Sequence, residues 1–308
     1  MPRQLSHRGL QAFRLMMLTG SVSAAAATMN LSQPAVSRLL KELELDTSLR
    51  LFDRTKGRLV PTAEAGLLLD EVQRSFVGLD RISSAVGEIR KGRRGTLSIS
   101  SLPILASSLL PKMVGEFLRR APGVAVRLDS AGSQTVTQQV MTGQYDIGFI
   151  SISVPLANLH TMRRYSLPCR CILPPGHRLA GKEVLGPGDL EGESLVSASR
   201  RTLMDTQVQA LLDRHGVSPA MPVETPLLPL ASLLVLEGAG VAIVDAITAA
   251  HHERLGGISR RFEPLVRLEL GMVRRLDAPV TSAEALFMEI CDGQMSRYVD
   301  QEIDVQTA

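Results

Sequence analysis

Apolar positions along this chain follow three successive rhythms. The first is helical and comes in short blocks. Leu10, Phe13, Met17 and Leu18 predict an amphipathic helix over residues 5–18, which Gly20 ends. Ser21 then caps a second helix, and its Ala24–Ala27 run keeps that helix narrow enough for a neighbour to cross it closely. A third helix opens at Ser32 and Pro34. The serine can accept a hydrogen bond from a free first-turn amide, and the proline sits where a missing N–H costs little. Val36, Leu39, Leu40 and Leu43 fall on one side of it, with Gln33, Ser37, Arg38 and Lys41 on the other. Two short helices with a tight turn between them, the second presenting such a polar face, form a helix-turn-helix.

The second rhythm begins after a hairpin. Leu51-Phe52 and Leu59-Val60 predict two short strands joined by Thr55–Arg58, a wing that carries Arg54, Lys56 and Arg58 toward phosphates. A long helix over 63–91 then places Leu68, Val72, Phe76, Leu79, Ile82, Val86 and Ile89 at a mean spacing of 3.5 residues. That is the coiled-coil period, and it predicts pairing with the same helix of a second subunit. Two recognition helices on one dimer suit two half-sites a helical turn apart.

The third rhythm starts beyond the basic, glycine-flanked hinge Lys91–Gly95. Strands over 96–100, 124–129 and 145–150 alternate with helices over 105–120 and 133–142. A second set has strands at 165–173, 194–197, 223–225 and 241–244, with helices over 202–215 and 230–238. Such alternation implies an open α/β sheet, and two sets imply two lobes with a cleft. The expected division is a winged helix-turn-helix at 1–62, a linker and dimerisation helix at 63–91, and a ligand-binding domain at 92–308. Lobe one takes 95–163 plus a C-terminal return, and lobe two takes 164–265.

Charge supports this division. Residues 1–94 hold 15 Lys and Arg against 9 Asp and Glu, a net +6; the rest hold 19 against 22, a net −3. A basic front and a slightly acidic body place the polyanion partner at the front. Aromatic residues make up only 3% and Trp is absent, which suits duplex DNA rather than base-stacking on single strands. Cys169, Cys171 and Cys291 lack metal-ligand spacing and read as buried free thiols of a reducing compartment. No phosphate loop or nucleophile elbow occurs. Gly238-Ala-Gly240 lacks a third glycine, and His251-His252 reads as a solvated helix end. The expectation is therefore no catalytic residue, no cofactor and no metal. Leu15–Met29 is interrupted by polar residues and does not read as a signal peptide. No 18-residue apolar stretch exists, so the chain is expected in the cytoplasm with no membrane partner. A two-lobed solute-binding protein is the alternative from another class, and the helix-turn-helix argues against it.

Ser32-Gln-Pro-Ala-Val-Ser-Arg38, Leu51-Phe-Asp-Arg54 and Arg58-Leu-Val-Pro-Thr62 strongly resemble the LysR-type transcriptional regulators. Leu109-Leu-Pro111, Gly143–Gly148, Leu173–Ala180 and Glu237–Ile243 continue the resemblance, which spans residues 5–290. The resemblance implies a periplasmic-binding-protein-like effector domain and a homotetrameric activator that bends promoter DNA near its own gene. Its DNA-facing set would be Ser21, Ser23, Ser32, Gln33, Pro34, Ala35, Ser37, Arg38 and Lys41, with Arg54, Lys56 and Arg58 from the wing. Glu71–Ser75, Gly78–Ile82, Leu97–Pro103, Ile172–His177 and Val223–Thr225 look closest to the founding member, which regulates the diaminopimelate decarboxylase gene. Val241–Asp245 and Thr248-Ala249 are shared with opine-responsive regulators. Both imply an amino-acid-like, zwitterionic effector such as diaminopimelate, lysine or an opine, and control of amino-acid metabolism. One segment departs: relatives carry a Ser/Ala-rich stretch after Val-Glu-Thr, and here it is Pro226-Leu-Leu-Pro-Leu230. That makes a pocket wall apolar and stiff, and leaves diaminopimelate open as the effector.

Ligands of α/β sheets bind beyond the carboxyl ends of strands, beside helix N-termini. Ser100 and Ser101 end the first strand of lobe one. Ser197, Ser199, Arg200 and Thr202 repeat the arrangement in lobe two, where Arg200 adds a bidentate carboxylate contact. Thr225, Asp245 and Thr248 would face an ammonium or amide from the opposite wall. Strand-end serines also serve as helix caps, and Asp245 stands where a cap would stand.

Overall fold

In the computed structural model, which describes residues 5–55, 58–90, 95–152, 159–197 and 203–299, the chain forms two units, Met1–Ser84 and Ala85–Ala308. The first is built on capped helices: α1 (His7–Thr19), α2 (Val22–Met29) and α3 (Gln33–Thr47). Gly20 ends α1 in the left-handed conformation, at φ 65°, which a residue without Cβ adopts at no steric cost. Ser6, Ser21 and Ser32 each accept a first-turn amide of the helix that follows. Phe13, Met16, Ala25, Ala26, Val36, Leu40 and Leu43 form the core of this unit. The alanines let α2 nest between α1 and α3. A hairpin of β1 (Phe52–Thr55) and β2 (Arg58–Pro61) follows, then α4 (Ala63–Arg90).

The second unit opens with β3 (Thr96–Ser101), α5 (Pro103–Ser108) and α6 (Leu110–Arg120). One helix was expected over 105–120, and the structure breaks it at Leu109. The cause is Pro111, which has no N–H and whose ring crowds the carbonyl four residues back, so a continuous helix cannot pass through it. Then come β4 (Ala125–Ser130), α7 (Ser133–Met141), β5 (Ile147–Ser151) and β6 (Leu159–Leu173). Next are β7 (Val184–Leu185), β8 (Ser194–Ser197), α8 (Leu203–Arg214), β9 (Ala220–Glu224) and α9 (Leu228–Leu236). The last described elements are β10 (Ala242–Asp245), α10 (Ala246–Arg254), β11 (Ile258–Phe262), β12 (Arg267–Arg275) and α11 (Ser282–Met295).

β6 is six residues longer at its start than its apolar run predicted, and it is the spine of the unit. Residues 159–168 pair with β12, whereas 169–173 pair with β10 on one side and β11 on the other. Lobe one has the sheet order β4-β3-β5-β12-β6, with β3 parallel to β4 and β5. β12 returns antiparallel to β5, and α11 packs on α6 through Phe287 against Phe117 and Arg120 to Glu289. β8 and β9 run parallel in lobe two, and β8 touches Val241 by a single parallel bridge. A continuous core joins the lobes beneath β6, from Ile99, Phe117 and Phe149 to Cys171, Val208 and Phe262.

Candidate nucleic-acid interface and ligand cleft

The faces of α3 are sharply divided. Val36, Leu40 and Leu43 are buried against α1 and α2, while Gln33, Pro34, Ser37, Arg38 and Lys41 are exposed. Ala35 is half-buried. Gln33 Nε2 donates to Ser23 Oγ at 2.7 Å, which fixes the amide plane against α2. An amide held this way keeps its oxygen and its second N–H for a base edge. Arg38 Nε rests on Glu42 Oε1 at 2.8 Å; both side chains are exposed, so the pair adds little stability and a phosphate can replace it. Glu44, which the sequence reading passed over, accepts from the amides of Leu51 and Phe52 at 2.8 and 3.0 Å. It ties the start of the wing to the recognition helix. Arg54 and Arg58 lie in the strands of that wing. Their side chains, and Lys56 altogether, lie outside the described residues.

The 3.5-residue seam of α4 divides between two roles. Val72 and Phe76 are buried in the core of the first unit, and Leu68 packs against it. His7 and Arg14 of α1 lie on the Phe76 ring, at 4.9 and 5.1 Å. Ile82 and Val86 are exposed. Three of the seven seam positions thus serve the protein's own unit, because α1 offers a wall for them; the side chains of Leu79 and Ile89 lie outside the described residues.

In the second unit, Ser100, Ser101, Ser197, Thr225, Asp245 and Thr248 are all buried. Ser100 and Ser101 face opposite sides of the sheet, as successive strand residues must. Ser100 donates to Gln139 at 2.6 Å, and Gln139 to Asp129 at 2.9 Å, so its hydroxyl belongs to α7. Ser101 lies at the end of β3 beside Ser130, its partner at the end of β4. No side chain caps α5, so Ser101 is not spent as a cap. Ser197 donates to Asp205, in the first turn of α8, at 3.3 Å. Thr225 accepts from the Leu227 amide at 3.2 Å. Ser199, Arg200 and Thr202 lie outside the described residues.

Asp245 is the cap of α10: its Oδ1 takes the amides of Ile247 and Thr248 at 2.9 and 3.1 Å. Burial pushes its carboxyl above the usual range, and the two amide hydrogen bonds offset part of that. His252, expected as a solvated helix end, is wholly buried. Its Nδ1 meets Ser232 Oγ at 2.9 Å and its Nε2 meets the Leu173 carbonyl at 2.9 Å, joining α10, α9 and β6. A carbonyl only accepts, so Nε2 carries a proton and donates it to Leu173. The three cysteines are free and buried, and burial raises each thiol, which leaves them unreactive. Among the described residues, no group of three or more His, Cys, Asp or Glu is placed to hold a metal, and no helix is long and apolar enough to cross a membrane.

Between the lobes, where α5 packs against α9 and α10, lies a hollow of about 400 Å³. Pro103, Ala106 and Ser107 of α5 and Ser130 of β4 form one wall. Leu227, Pro229, Leu230 and Leu233 form the other. From Leu227, the cap position of α9, the leucines recur every three residues along its exposed face, while Ala231, Ser232 and Val235 are buried beneath. The departing segment Pro226–Leu230 is therefore a wall of the cleft.

Residues 7–66 match the family described as bacterial regulatory helix-turn-helix protein, lysR family, and residues 90–296 match the LysR substrate binding domain. Regulatory protein NocR of Agrobacterium fabrum is 38% identical over 275 residues, covering 89% of this chain and 92% of that protein. Transcriptional activator protein LysR of Escherichia coli is 35% identical over 280 residues, covering 91% and 90%. The octopine catabolism/uptake operon regulatory protein OccR of Rhizobium meliloti is 37% identical over 242 residues, covering 79% and 80%. These similar distances single out none of the three. The crystal structure of full-length CbnR complexed with its target DNA aligns with a TM-score of 0.68 at 20% identity, over 94% of this chain and 99% of that one, which establishes a shared fold.

Proposed function

The chain belongs to the LysR family of bacterial helix-turn-helix regulators, and from that premise we propose that α3 reads promoter DNA for one half of a dimer while the cleft senses an amino-acid-like effector. As a family member it is a DNA-binding transcriptional regulator with an effector-binding domain, and not an enzyme. One observation carries the DNA reading. A serine-capped helix buries Val36, Leu40 and Leu43 and turns Gln33, Ser37, Arg38 and Lys41 outward. Gln33, steadied by Ser23, takes an adenine edge by a bidentate contact. Arg38, Lys41 and the wing cations Arg54, Lys56 and Arg58 hold phosphates, with Ser21, Ser32, Pro34, Ala35 and Ser37 lining the approach.

Ile82 and Val86 meet the α4 helix of a second copy, and two dimers make a tetramer working as an activator in the cytoplasm. The effector lies between the lobes, against Ser101, Ser197, Thr225 and Thr248, and the sequence adds Ser199, Arg200 and Thr202 as contacts. Likeness to LysR and to OccR, the latter named for octopine catabolism and uptake, supports an amino-acid-like compound and control of amino-acid metabolism genes. A ligand that binds one inter-lobe arrangement better than another shifts the population of DNA-bound geometries.

The test is anisotropy with a duplex from upstream of the protein's own gene. Wild type should bind with a steep, log-linear dependence on salt. Gln33→Ala should weaken binding to that duplex by about 1–3 kcal/mol and leave binding to unrelated DNA nearly unchanged. Equal weakening on both duplexes would show that Gln33 reads no base.

A further inference from the structure

We infer that the hollow between α5 and α9 takes an apolar group of the effector, an unbranched or branched aliphatic chain or an aromatic ring, carried on an amino-acid-like polar head. The inference rests on the reading of the cleft as an effector site and narrows its ligand.

Three observations converge on it. Leu227, Leu230 and Leu233 are between 42% and 49% exposed, on a helix whose other face is buried. Opposite them stand Pro103 and Ala106, and among the described residues none that lines the roughly 400 Å³ between is charged. The hollow also adjoins the polar strand ends. Ser130 lines it and is paired with Ser101. Thr225 receives the amide of Leu227, the first residue of the leucine wall. A ligand whose head lies at the strand ends therefore reaches the hollow with its other end. The ammonium of lysine, or the second amino-acid end of diaminopimelate, would lose part of its hydration against the leucine wall and find no counter-charge among the described lining residues. A hydrocarbon end gains instead from leaving water and from shielding three leucines. The volume falls within the range of small-molecule sites.

Lysine and norleucine differ only by the terminal ammonium, so they form the test pair. Full-length protein is titrated by calorimetry and thermal shift with norleucine, leucine and phenylalanine, and separately with lysine and diaminopimelate. At least one member of the apolar set should bind, and norleucine at least tenfold tighter than lysine. Leu230→Ser and Leu233→Ser are at exposed positions and should fold as wild type does. Each should weaken the best apolar ligand at least threefold. Tighter binding of lysine or diaminopimelate, or undiminished affinity in both variants, overturns the inference. Either result leaves the effector reading standing, since a ligand has bound. Silence from the apolar set overturns it as well, and silence from both sets counts against the amino-acid-like effector too.

Discussion

Helices α3 and α9 are built alike and turned to different partners. Each carries a proline in its first turn, and each buries one face, Val36, Leu40 and Leu43 in α3, Ala231, Ser232 and Val235 in α9. The exposed faces differ. That of α3 is Gln33, Ser37, Arg38 and Lys41; that of α9 is Leu227, Leu230 and Leu233. Cations and amides on a surface helix remain well solvated until a polyanion replaces water and counterions. A leucine stripe facing a second apolar wall is not at ease in water, and it favours whatever covers it. The buried face fixes where each helix stands, and the exposed face selects what it meets.

The largest expected effect breaks the comparison on the buried side. Leu43→Ala opens a cavity in the small first unit and should cost about 2–5 kcal/mol of its stability. Leu233→Ser on the exposed side of α9 should change stability by no more than about 0.5 kcal/mol. Chemical denaturation of both variants checks the contrast, and a large loss from Leu233→Ser would mean its face is already covered.

A smaller effect sharpens the account of how α10 is held beside α9. The folded-state pKa of Asp245 is raised by burial, so the folded protein keeps a proton there that the unfolded chain releases. Stability from this group is full below the ordinary aspartate range and is lost as pH rises through the raised value. Asp245→Asn keeps a capping oxygen and cannot ionise. Its melting temperature should therefore gain on wild type as pH rises from 4 towards 8. A difference independent of pH would mean that the carboxyl is not strained by burial.

The first unit was legible because its signals are local. Ser21, Ser32 and Pro34 act within four residues of themselves, and Val36, Leu40 and Leu43 fall on one helical face wherever that helix goes. The α/β alternation of the second unit was legible for the same reason. Long-range pairing was not. β12 is a strand because it fits between β5 and β6, roughly a hundred residues upstream. His252 looks like a polar helix end until α9 brings Ser232 over it and β6 brings the Leu173 carbonyl under it. Two local signals were present and passed over: Pro111, which breaks the expected helix, and the Thr281–Glu284 capping box that starts α11. At the cleft, the serines, Thr225 and Asp245 stood out by residue type, but the sheet pleat that turns Ser100 away from Ser101 is a matter of geometry. The leucine wall was visible as an unusual segment, and its opposing wall on α5 was not.

The most direct measurement of the division between the two faces is a double comparison in one buffer. Wild type, Arg38→Ala/Lys41→Ala and Leu230→Ser/Leu233→Ser are each titrated with the upstream duplex and with the tightest apolar amino acid. The α3 variant should lose at least tenfold in DNA affinity, with a salt dependence shallower by about two phosphate contacts, and less than twofold in ligand affinity. The α9 variant should show the reverse pattern. Loss of DNA affinity in the α9 variant with ligand affinity kept would contradict the assignment of these two faces to these two partners.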